Sequence, residues 1–284
     1  MKKILIVLSL LIISNSSVVL AHPYHYHGGS CSSCSTYIVR SDNYQEQQPF
    51  KNCKEHILLV DTTINYYSNG SRRVYKTYTV LNNDGTILVS NCYDVKHILY
   101  NGEHYFLVKQ GKYYKIMTSD GNETAKRQYT KMKEIMPNKL LVRVNKNYGV
   151  IDINENIIVP IKYKEFEQLN TNLFKTKLNG FLGLVDSSNN VLLKNQYDKI
   201  KPLYETYVIK KEGKFGLVDI EGKIILEANC EKIKKLGEYI LVKKEKQYGL
   251  FDSFGNKIKE IEYKKIKLER NQIKLFKNKT WEEL

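Results

Sequence analysis

The chain has 284 residues, 42% of them apolar and 26% charged, with 45 Lys and Arg against 30 Asp and Glu. That balance excludes a disordered chain and permits a sizeable core. The formal charge of +15 and 22 Tyr beside a single Trp point to a basic, soluble body rich in β-prone residues.

The N-terminus reads as a secretory signal peptide, residues 1–21. Lys2 and Lys3 precede an apolar run over residues 4–13, and Val19-Leu20-Ala21 offers small residues at the cleavage positions. The apolar run is too short to span a bilayer, which takes about 20 residues. The mature chain is expected to start at His22, to keep a charge of +13 once Lys2 and Lys3 are gone, and to be periplasmic or secreted. No transmembrane segment is expected after cleavage.

Residues 22–54 read as a flexible segment. His22, His25 and His27 are followed by Gly28, Gly29, Cys31 and Cys34, so five metal-capable donors fall within thirteen residues. Imidazole and thiolate together suit Cu or Zn. The spacing matches no closed zinc site. The bland alternative is a small Cys31–Cys34 disulfide on a solvated tail. Cys53 and Cys92 are candidates to pair. Cys230 reads as a small buried hydrophobe. His56, His97 and His104 are separated in sequence and show no nucleophile partner.

Residues 55–284 read as a β-repeat domain of six units, 33–36 residues each, and a C-terminal half unit. Tyr148-Gly149, Leu182-Gly183, Phe215-Gly216 and Tyr248-Gly249 recur with glycines 34, 33 and 33 residues apart. Each is followed by two apolar residues and an acid: Asp152, Asp186, Asp219 or Asp252. Gly222, Gly255, Asn189 or Glu155 comes three residues later. A second landmark follows at Tyr163, Tyr197, Cys230 and Tyr263. Weaker copies lie upstream around Tyr78, with Tyr93 as second landmark, and around Tyr114, with Tyr129. Trp281 stands 33 residues after Tyr248, at the aromatic position of the half unit.

The acids are expected to cap turns rather than bind cations, because Asx side chains accept backbone N–H groups two residues on. The residue three places later is expected to have positive φ. Pairs such as Leu217-Val218 and Leu250-Phe251 put apolar groups on both faces of one strand, so that strand must be covered on both faces. The fold class is therefore all-β. A propeller-like closed array is expected, in which residues 273–281 pair against residues 57–67; an open β-solenoid is the alternative.

This aromatic-Gly-apolar-apolar-Asp-x-x-Gly unit resembles that of the WG-repeat family, over about three quarters of the chain. Tyr, Phe or Leu replaces the Trp of the family motif. The resemblance implies a β-repeat scaffold and no particular activity. Catalytic signatures such as G-x-S-x-G, H-E-x-x-H and the Walker loop are missing, and no enzyme is expected. The expectation is an exported interaction protein with a protein or acidic glycan partner and not nucleic acid. The alternative is a metal-binding protein using His22, His25, His27, Cys31 and Cys34. The lysines are scattered along the strands, as on a solvated surface.

Overall fold

The computed structural model describes residues 13–17, 38–124 and 127–284. Every regular element among them is a β-strand. The chain forms two compact units, Met1–Met132 and Lys133–Leu284.

The first unit holds two sheets. One runs β1 (Ile13–Ser17), β2 (Ile38–Phe50), β3 (Cys53–Tyr67), β4 (Arg72–Asn82) and β5 (Ile87–Cys92) in sequence order. The other is β6 (Asp94–Tyr100), β7 (Glu103–Gln110) and β8 (Tyr113–Thr118). β1 lies in the stretch read as the signal peptide and pairs with Ser41–Gln45 of β2. The first sheet also takes in residues 38–54, assigned above to the flexible segment. Their polar run carries no period-two pattern of its own, and the long β3 partner supplies their ladder. Both edges of β3 are hydrogen-bonded, to β2 and to β4. The pairing expected between residues 57–67 and 273–281 is therefore unavailable, because a strand has two edges only.

The second unit begins within β9 (Lys131–Met136), which continues through β10 (Lys139–Val144), β11 (Asn147–Ile151) and β12 (Ile157–Tyr163). Three further sheets have strands consecutive in sequence. The fourth is β13 (Glu165–Gln168), β14 (Leu173–Leu178), β15 (Phe181–Asp186) and β16 (Val191–Tyr197). The fifth is β17 (Lys199–Leu203), β18 (Thr206–Lys211), β19 (Lys214–Asp219) and β20 (Ile224–Cys230). The sixth is β21 (Lys232–Leu236), β22 (Tyr239–Lys244), β23 (Gln247–Phe251) and β24 (Lys257–Tyr263). The last sheet is β25 (Lys265–Glu269), β26 (Gln272–Lys277) and β27 (Thr280–Glu283).

Every repeat landmark now has a physical role. The residue before the glycine pairs across the sheet with the second landmark: Tyr148 with Tyr163, Leu182 with Tyr197, Phe215 with Cys230 and Tyr248 with Tyr263. In the first sheet the same pairing joins Tyr78 to Cys92, not to Tyr93. Cys92 is fully buried and Tyr93 exposed, so the thiol holds the core register there. Two residues on the Gly-bearing strand face four on its partner, a bulge that bends the partner over the glycine. A Cβ on Gly216 would sit 2.5 Å from the Leu226 carbonyl oxygen. The glycine is thus required by close approach within its own sheet.

The doubly apolar strands are buried on both faces. Val218 joins Leu184, Leu193 and Tyr197 of the preceding sheet, while its neighbour Leu217 joins Ile240 and Val242 of the following one. Phe251 and Leu250 divide likewise between Cys230 before and Ile266, Ile273 and Leu275 after. Each strand therefore joins two cores. Full burial of one such side chain stabilises by roughly 1.5–3 kcal/mol.

The acids close their turns as expected. Asp152, Asp186, Asp219 and Asp252 each accept two backbone N–H groups, from the residues two and four places on, at 2.8–2.9 Å. Gly222, Gly255, Asn189 and Glu155 follow with φ of 90°, 89°, 68° and 64°.

Candidate functional sites

A cluster of thiol and imidazole groups forms in the first unit. Cys53 and His56 lie three apart at the start of β3, a spacing that in a regular strand sends side chains to opposite faces. Here Phe50 pairs with Cys53 and Pro49 with Ile57, so Lys54, Glu55 and His56 are extra residues on β3. This bulge turns both side chains inward, leaving them 3% and 4% exposed. The Cys53 Sγ lies 3.2 Å from His56 Nδ1.

The β6–β7 hairpin supplies two more rings. Its turn residues Asn101 and Gly102 both have positive φ, at 51° and 81°, the geometry that Asn-Gly favours in a two-residue hairpin. With Leu99 opposite His104 and His97 opposite Phe106, the two histidines are diagonal neighbours on one face. His97 Nε2 and His104 Nδ1 are 2.7 Å apart, and the rings stack at 4.9 Å. One Cys53, one His97 and one His104 ligand atom all lie within 4.8 Å of one another.

Aromatic walls enclose the group. Phe106 meets the His56 ring edge-on at 5.0 Å and the His97 ring at 5.5 Å, and Phe50 lies 5.7 Å from His97. Beside them is a 230 Å³ cavity lined by Gln47, Pro49, Phe50, Cys53, His56 and Ile57. A more open pocket on the other side of His56 carries Glu55, Asp84 and Asp120. A carbonyl oxygen only accepts, so the 3.3 Å contact from His56 Nε2 to the Ser119 carbonyl places a proton on Nε2. The Nδ1 lone pair then faces the thiol. Burial pushes the Cys53 thiol up, which favours S–H as donor to that lone pair.

Cys53 and Cys92 are both free thiols, so the pairing expected between them does not form. Cys92 points into the core with Val80 and Phe106, and burial raises its thiol to about 11. Cys230 is fully buried, as its place in the repeat implies. His22, His25, His27, Cys31 and Cys34 lie outside the described residues.

The second unit carries a basic ladder whose lysines are scattered in chain order but aligned across sheets. The first strands of three consecutive sheets hold Lys199-Ile200-Lys201, Lys232-Ile233-Lys234 and Lys265-Ile266-Lys267. The central isoleucine faces the core, and Lys199, Lys201, Lys232, Lys234 and Lys265 are exposed. Two aromatic rings lie in the ladder. Lys235 Nζ stands 4.2 Å above the Tyr204 ring, and Lys267 Nζ stands 4.4 Å above the Trp281 ring. Lys267 also pairs with Glu269.

Four successive sheets of consecutive strands, each with an Asp-capped turn and a bulge folded over a glycine, define a tandem β-repeat unit. The chain carries a WG repeat: residues 148–180 match the model of the WG containing repeat. No curated protein matches the chain. Among solved structures it is similar to Hsv2 of Kluyveromyces lactis, 11% identical over 68% of this chain and 71% of that one, with a TM-score of 0.31. The Hsv2 structure with complete loop 6CD is 11% identical over 68% and 70%, at 0.32. The form with that loop replaced by a Gly-Ser linker is 11% identical over 78% and 85%, at 0.30.

Proposed function

We propose that this chain is an exported, non-enzymatic repeat protein of the cell envelope whose second unit binds an acidic polysaccharide. The observation that supports the reading is the basic ladder. Lysines recurring every 33 residues, at equivalent points of successive sheets, present a repeated positive charge. A polymer with one carboxylate or sulfate per sugar offers the repeated negative charge that such a surface complements. Tyr204 and Trp281 hold the Lys235 and Lys267 ammonium groups over their rings and so fix two further charges in the ladder. Repeat arrays use extended surfaces of this kind for binding.

The test is retention of the mature chain, from His22 onward, on immobilised polygalacturonate and on neutral dextran over a salt series. Retention on the acidic polymer alone, falling with salt and reduced at least tenfold when Lys199, Lys201, Lys232, Lys234 and Lys265 are changed to Gln, supports the reading. Equal retention of that variant refutes it. N-terminal sequencing of chain recovered from the periplasm or medium of an expressing bacterium tests cleavage before His22. The propeller-like closed array belongs to the same reading. Small-angle scattering distinguishes its compact profile from that of an extended solenoid.

A further inference from the structure

We propose that Cys53, His56, His97 and His104 form a closed, four-coordinate site for a zinc-class transition metal ion, with the Cys53 sulfur and one nitrogen of each imidazole as ligands. The inference is independent of export and of the polysaccharide reading. It also differs from metal binding by the N-terminal tail.

The first argument is convergence. Six histidines occur in the sequence; three lie in residues 22–27, and the other three all meet Cys53. They come from two places in the chain, the β3 bulge and the β6–β7 hairpin. One thiolate and three imidazoles form a mixed S/N set that suits zinc and related ions, unlike an oxygen-rich set for calcium or magnesium.

Distances are the second argument. With Zn–N near 2.0–2.1 Å and Zn–S near 2.3 Å, tetrahedral ligand atoms stand roughly 3.3–3.6 Å from one another. The Cys53 Sγ to His56 Nδ1 separation is 3.2 Å, and the His97 to His104 nitrogens are at 2.7 Å. The latter pair must open by roughly half an ångström; the Cys53, His97 and His104 donors already lie within 4.8 Å of one another, and His56 joins them through its 3.2 Å contact with Cys53.

Outer partners give the third argument. Metal-bound imidazoles hand their second nitrogen to a carbonyl or carboxylate, which fixes the ring. His56 does so through Nε2 to the Ser119 carbonyl, leaving Nδ1 for the metal. His104 has Nε2 3.9 Å from Glu55 Oε2 and Nδ1 directed inward at His97. The pocket carrying Glu55, Asp84 and Asp120 beside His56 supplies an acidic approach for a cation. Phe50 and Phe106 close the apolar side. Four protein donors leave no open coordination position, so the site is structural. It ties the β2–β3 hairpin to the β6–β7 hairpin, and the Ser119 turn is held through His56.

The experiment uses the reduced full chain. Zinc per chain is measured by mass spectrometry and metal titration, and cobalt(II) is substituted as an optical probe. The expected result is one zinc per chain, with cobalt(II) giving intense tetrahedral bands and a thiolate charge-transfer band. A variant with His22, His25, His27, Cys31 and Cys34 all changed to Ala keeps both signals. C53S removes the charge-transfer band, and C53S, H97Q and H104Q each weaken zinc binding at least 100-fold. E55Q weakens it roughly tenfold, as outer-shell changes do. Failure of the natural chain to bind zinc stoichiometrically overturns the proposal. So does binding that the tail variant loses, or a cobalt spectrum without thiolate character. The spectrum of the unsubstituted chain decides the matter even if a ligand variant fails to fold.

Discussion

Replacing Gly216 by Ala isolates the reason for the repeat glycine. Unlike Gly213, with φ of +81°, Gly216 has no left-handed φ. Backbone entropy alone would therefore make Ala at 216 neutral or mildly favourable, by about 0.5–1 kcal/mol. The added Cβ instead meets the Leu226 carbonyl oxygen at 2.5 Å and the Ala228 nitrogen at 2.9 Å. These are backbone atoms, so relief requires lifting the β20 bulge away from β19. Leu217 and Val218, fully buried next door, would lose packing in two cores at once. Overpacking of this kind costs about 1–3 kcal/mol and the loosened packing of Leu217 and Val218 adds about 1–2 kcal/mol, while the entropy gain offsets about 0.5–1 kcal/mol, leaving about 1.5–4 kcal/mol. Gly213→Ala meets nothing within 4 Å and carries only the left-handed penalty, about 1–2 kcal/mol. Urea unfolding followed by Trp281 fluorescence, which reports from the second unit, measures both variants. If Gly216→Ala stays within about 0.5 kcal/mol of the natural chain, or proves milder than Gly213→Ala, close approach is not what selects glycine there.

The capping acids predict an acid limb. Burial works against the Asp186 and Asp252 carboxylates, but hydrogen bonds from Asn190 and Asn256 and from turn backbone hold both below the ordinary carboxylate range. A depressed folded value means stability fully present above the unfolded value, about 3.9, and lost as pH falls through the folded one. The urea midpoint should accordingly fall between about pH 5 and 3, and D186N with D252N should flatten that fall. A thiol reagent at pH 8 should leave Cys92 and Cys230 unmodified until the chain unfolds, since both are buried with raised values. Non-reducing peptide mapping should find no Cys53–Cys92 link; finding one would contradict the separate environments of the two thiols.

The repeats were legible because each landmark answers to a local requirement. Asp219 caps its turn, Gly222 takes positive φ, and Leu217 and Val218 divide between two cores. The earliest strands were not legible, since the run Arg40 to Gln48 gains its ladder from β3 and not from its own pattern. Aromatic identity points to Tyr93 as the landmark, whereas ladder register puts Cys92 opposite Tyr78. The imidazole cluster stayed hidden because its members are scattered along the chain. Hairpin register around Asn101-Gly102 would have shown His97 and His104 as diagonal neighbours, but nothing in the sequence announces the bulge that turns Cys53 and His56 to the same side. Aligning the first strand of each repeat would have exposed the Lys-Ile-Lys ladder, which chain-order reading disperses.

Among the described residues, every sheet is assembled from strands that follow one another in sequence. From β2 onward partners within a sheet are joined by short turns, and little loop-closure entropy must be spent before a ladder begins to stabilise itself. For an all-β chain this is a low contact order, which favours rapid folding. A chain emerging N-terminus first can complete each sheet before the next arrives, leaving its doubly apolar strands uncovered on one side only until the following three dozen residues appear. The order of synthesis and the order of assembly then coincide.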